Sequence, residues 1–107
     1  MKYNVWYMTP DFFPFGVMGK LPYTSERLSE THTFVKEVEA EHLDDVFLAM
    51  QAERWSPNGE ARSLIESKGL QHTSMTVGDA IVTDSKELWV VSSRGFQQLV
   101  VGDRFLA

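Results

Sequence analysis

The sequence predicts an α+β fold: a mostly antiparallel sheet of about four to five strands with two consecutive helices, in the order β-loop-β-α-α-β-β-β. Three observations predict it. Residues 2–8 alternate, with Tyr3, Val5 and Tyr7 on one face and Asn4, Trp6 and Met8 on the other, which is the period of a strand. Leu43, Val46, Phe47 and Met50 fall at i, i+3, i+4 and i+7, the apolar stripe of an amphipathic helix. After Gly69 the chain returns to β-prone runs separated by turn residues, so helices and strands are segregated rather than interleaved.

The elements follow in order. Both faces of the first strand carry large apolar groups, which predicts a central or doubly covered position. From Thr9 to about Glu30 no periodicity holds, and prolines at 10, 14 and 22 with glycines at 16 and 19 predict a long loop rather than a helix interior. A second strand is expected over 31–38. The helix over about 41–53 carries Glu41, Asp44 and Asp45 in its first turn, where negative charge suits the helix dipole. Ser56 with Pro57, or Asn58, can start a second helix over about 58–68 that Lys68 and Gly69 close. β character then runs over 72–77 and, through a turn or bulge at Gly78-Asp79, over 80–83; strands over 87–92, after a hairpin loop at Asp84-Ser85-Lys86, and 96–101 complete a meander.

At 107 residues the chain has the size of one domain, 1–107, around one hydrophobic core. Its 43% apolar and 12% aromatic content supplies the surface that disordered chains lack. The absence of cysteine removes disulfides and thiolate zinc sites and fits a cytoplasmic protein. No run of about 18 apolar residues exists to span a membrane, and the amino terminus reads as a strand rather than a signal peptide. A net charge of −5 without a Lys/Arg-rich run disfavours duplex nucleic acid, which requires a basic surface to displace counterions.

Recognised chemistry is sparse. His32, His42 and His72 fit no ligand-spaced metal pattern, and Glu39 with His42 is a spacing met by chance, so neither metal nor cofactor is expected. No GxSxG, P-loop or GxGxxG is present. A small enzyme with a site near His72, Ser74 and Asp79 is one alternative, since i, i+2 residues of a strand share a face. Single-stranded nucleic acid stacked on Trp6, Phe13, Trp89 or Phe96 is another. The acidic stretch from Glu37 to Asp45 could imitate a nucleic-acid backbone, or be a solvated helix edge. The leading candidates for partner contact are Phe12, Phe13, Phe15 and Met18 in the long loop, followed by Trp55, Arg94 and Phe96, because exposed aromatic clusters mark interaction sites.

Residues 72–82 (HTSMTVGDAIV) followed by residues 88–96 (LWVVSSRGF) resemble the signature of small YodL-like domains, a strand-turn of the type SMSVGDVV and a strand ending near GF. Residues 55–62 (WSPNGEAR) resemble the longer stand-alone versions. The resemblance is best over 55–99; Thr76 and Ala80 replace the usual Ser and Val. It implies a phage, plasmid or conjugative-element origin and no known catalytic activity. The motif residues Ser74, Val77, Gly78 and Asp79 also make sense without chemistry, since Gly78 permits positive φ and Asp79 can bind nearby amides. The expected function is therefore a non-enzymatic mobile-element accessory protein in the host cytoplasm that binds and modulates a host protein, with a homodimer through strand edges left open.

Overall fold

A computed structural model describes residues 1–20 and 25–99. Its centre is a five-stranded antiparallel sheet in the order β2-β1-β3-β4-β5, formed by β1 (Lys2–Met8), β2 (His32–Glu39), β3 (Ala80–Thr83), β4 (Leu88–Ser92) and β5 (Gly95–Leu99). The fold is α+β, and β1 lies between β2 and β3, where its doubly apolar pattern belongs. Tyr3, Val5 and Tyr7 join Val35, Ile81 and Val91 in the larger core. Trp6 packs on the opposite face with Leu28, Ala80, Leu88, Val90 and Leu99. The register slips between Val5, paired with Lys36, and Trp6, paired with Phe34. That bulge leaves Val35 unopposed, and it is buried in the larger core.

Among the described residues four short helices accompany the sheet: α1 (Phe13–Gly16), α2 (Leu43–Ala49), α3 (Ala52–Trp55) and α4 (Arg62–Ser67), with a 3-10 helix over Ser25–Glu30. Val46, Met50 and Ile65 carry the helical segment into the larger core. The continuous helix expected over 41–53 is broken, because Gln51 adopts an extended ψ of 139°. Side chains hold the break: Gln51 Nε2 donates to Phe47 O within α2 and to Met75 O outside it, and the Ala52 N–H donates to Ser74 Oγ. The second helix begins at Arg62 rather than 58. Ser56 Oγ accepts from the Ala61 N–H, so the serine supports the helix start across a turn instead of directly preceding it. In the long loop, Pro14 sits in the first turn of α1, where its missing N–H costs nothing; the expected structureless stretch is therefore helical at 13–16 and 25–30.

The strand expected over 72–77 does not form; pairing begins at Ala80. Side chains, with the Met50 carbonyl, have claimed the backbone groups that a ladder would use. Thr73 O accepts from the Tyr7 hydroxyl and from Trp55 Nε1, Thr76 N–H donates to Asp79, and Met75 pairs with Met50 and Gln51. The 80–83 strand, the 84–86 hairpin loop and β4 follow the sequence pattern closely. Positions 100 and 101 of the expected last strand, and Leu21 and Pro22 of the loop, lie outside the described residues. Among the described residues no helix is long and apolar enough to cross a membrane.

Candidate functional site

Where β1 ends, its last residues meet the turn that leads into β3. Asp79, wholly buried, directs its carboxylate back across this junction. Oδ1 accepts from the Met8 N–H at 2.8 Å, and Oδ2 accepts from the Thr76 N–H at 2.9 Å. His72 Nε2 lies 3.0 and 2.9 Å from the two oxygens; a carboxylate only accepts, so this nitrogen carries the proton. Three donors thus satisfy one buried acid and tie β1, the 72–76 segment and the 76–79 turn together.

A second histidine braces the same turn. His32 Nε2 donates to Gly78 O at 2.7 Å, since a carbonyl can only accept. Burial pushes the His32 pKa below its usual value, so the ring is neutral and Nδ1 accepts from the Thr31 hydroxyl at 2.7 Å. Tyr7 completes the cluster: its hydroxyl donates to Thr73 O at 2.6 Å, and its ring stacks on His72 with centroids 4.5 Å apart. Burial, reinforced by the nearby Asp79 charge, raises the Tyr7 pKa far above the ordinary phenol range, so this hydroxyl keeps its proton.

The histidine gives a pH signature. His32 is protonated in the unfolded chain below about pH 6.5 but resists protonation when folded, so the unfolded state binds more protons and stability falls on acidification. Between pH 6.5 and 5 the unfolding free energy should decline with a slope of at most about 1.4 kcal/mol per pH unit from this group. Glu30, held below its usual pKa by its hydrogen bonds to Arg27, contributes only as pH falls through about 4.5, outside that window. Urea titrations of wild type and His32→Gln at pH 7, 6 and 5 check this; equal slopes for both would refute it.

The long loop sits on this cluster, and its aromatic residues divide. Phe13 meets His72 edge-on at 5.0 Å, and Phe12 lies against His32 at 5.4 Å; both are half-buried, anchoring rings of the kind worth about 0.5–1.5 kcal/mol each. The tip points away: Phe15 is 52%, Val17 41% and Met18 82% exposed. Turn hydrogen bonds such as Gly16 N–H to Phe12 O and Lys20 N–H to Phe15 O hold the tip in shape. Val17 and Met18 border a cleft of about 330 Å3 whose other wall includes Val77, Val91 and Gln97.

The remaining candidates lie away from this cluster. Trp55 is half-buried, with Lys36 Nζ 5.4 Å from its ring centroid. Arg94 is exposed and Phe96 half-buried on the β4–β5 hairpin. Trp6 and Trp89 occupy opposite faces of the sheet, whereas Trp89 and Phe96 share one face, so the four candidate stacking rings do not all lie on one platform. Ser74 does not meet His72; its hydroxyl is engaged with Ala52, and His72 Nδ1 makes no hydrogen bond among the described residues. Among the described residues no three His, Asp or Glu side chains converge as a metal site requires.

No protein-family model, curated protein or solved structure matches the chain. The likeness of residues 55–99 to YodL-like domains therefore rests on the quoted motifs alone. Tyr7, Met8, Thr31 and His32 had no signal of their own in the sequence. Their roles arise from the pairing of Met8 with His32, which brings the start of β2 beside the Gly78-Asp79 turn.

Proposed function

We propose that the chain is a non-enzymatic accessory protein that binds a partner protein through the Phe15–Met18 loop tip and the cleft beside it. One observation carries the reading. The loop's inner rings are anchored on a polar cluster in which, among the described residues, no buried side-chain polar atom lacks a partner, while its outer apolar side chains are presented to solvent. A pre-shaped apolar tip loses little conformational entropy on docking, which is the economy of a recognition loop. Exposed large apolar groups beside a concavity suit a protein surface rather than a polar ligand. The likeness to YodL-like domains would make the partner a host protein, encountered in the host cytoplasm, and the chain a mobile-element product.

The test uses the tip alone. Phe15→Ser with Met18→Ser should leave stability within about 0.5 kcal/mol of wild type, because exposed side chains contribute little to folding. The same double variant should lose, by at least about tenfold, a host protein that the wild type retains from lysate. Equal recovery by both proteins would remove the loop tip from the interface.

A further inference from the structure

A second concavity lies on the helix-bearing face of the sheet and shares no lining residue with the cleft beside the loop. It is an open groove of about 830 Å3 between the start of α2 and the outer strands. Tyr3, Trp89 and Phe96 line it, three aromatic residues that the antiparallel register sets on the same side of β1, β4 and β5. Glu41, Asp44 and Glu87 line it as well, all exposed and none in an ion pair among the described residues. The Tyr3 hydroxyl, placed to donate to Glu41 O at 3.4 Å, holds that rim against the floor. Arg94 is the one Lys or Arg among the lining residues.

We infer that this groove binds a basic peptide segment of a partner protein, seating a Lys or Arg side chain over Trp89 between the carboxylates. An aromatic face attracts a cation through its quadrupole, and a rim of one sign concentrates the opposite sign above it. Three carboxylates against the Arg94 guanidinium and the Met1 ammonium leave the groove acidic by one charge. An acidic segment would meet repulsion, and a purely apolar one would strip water from charges without pairing them. Arg94 opposes the bound cation and sets which basic segments are accepted.

The probe is a capped Ala-Lys-Arg-Lys-Ala peptide titrated into the full chain at low salt, read by the NMR cross-peak of the Trp89 indole N–H. A saturable shift is expected, weakened about two- to fivefold by Glu87→Gln or Asp44→Asn, as for exposed ion pairs. Arg94→Gln should strengthen binding by a similar factor. Glu53→Gln and Glu66→Gln, outside the groove, should change nothing, and neither should the Phe15→Ser/Met18→Ser pair, which separates this surface from the loop tip. Four results would overturn the inference: no Trp89 shift, equal weakening by Glu66→Gln, equal binding of a glutamate peptide, or a shift that follows protein concentration alone and so puts a second copy of the chain in the groove.

Discussion

Asp79→Ala should destabilise the protein by about 3–5 kcal/mol, the cost of removing one partner from a buried charged network. The carboxylate is the acceptor for the Met8 and Thr76 amides and for His72, and it is wholly buried. Without it each donor loses its partner, at about 1–3 kcal/mol apiece where water cannot replace it. The sum is moderated because His72 keeps some solvent contact, with 16% of its side chain exposed. A domain of this size has about 5–15 kcal/mol in total, so the variant stands near the edge of folding. Asp79→Asn keeps the shape and one acceptor oxygen but turns an NH2 toward a backbone N–H, and should fall between. Urea unfolding followed by circular dichroism ranks Asp79→Ala, Asp79→Asn and His72→Ala in that order of cost. A loss under about 1 kcal/mol for the alanine variant would mean that Asp79 does not hold the junction.

The elements that could be read from sequence were those whose burial pattern is local. Residues 2–8 alternate because one strand has a core on each side, and residues 80–92 read as a hairpin because Asp84-Ser85-Lys86 interrupts two apolar runs. The failures share one cause. Residues 72–77 look like a strand by composition, but their backbone groups are taken by Tyr7, Trp55, Gln51 and Asp79. Residues 41–53 look like one helix, yet Ser74, 22 positions away from Ala52, receives the amide where it breaks. Local propensity cannot register a partner that arrives only when the chain has folded.

The loop shows the same division at the level of the site. An unbroken set of Phe12, Phe13, Phe15 and Met18 is what composition offers. The two half-buried rings rest on His32 and His72, residues 20 and 59 positions along from Phe12 and Phe13. Their exposure was therefore decided by the β1–β2 pairing and by Asp79 fixing His72. The tip, by contrast, has only its own turn hydrogen bonds among the described residues, and its apolar character is legible residue by residue.

Gly78→Ala should cost about 2–5 kcal/mol, from backbone strain and overpacking acting together. Gly78 has φ +99°, a conformation that alanine adopts only under strain. A Cβ there would fall on Met8 Sδ and approach the carbonyl carbon of Gly16 to 2.9 Å. The side chain of Met8 could move; the Gly16 backbone moves only if α1 lifts off the turn. Gly69→Ala separates the two contributions, because Gly69 also has positive φ, +72°, but nothing lies within 4 Å of its Cβ position. It should cost only about 1 kcal/mol. Combining Gly78→Ala with Met8→Ala should cost less than the sum of the singles, since the shortened side chain vacates the space the new methyl needs. A strict sum would mean that the two do not compete for that space. The residual cost falls on Gly16, and through it on the placement of Phe15 and Met18. On the proposed function, Gly78→Ala should therefore weaken capture through the loop tip even under conditions where the protein remains folded, an outcome read by comparing its recovery of a protein that the wild type retains from lysate with that of Gly69→Ala.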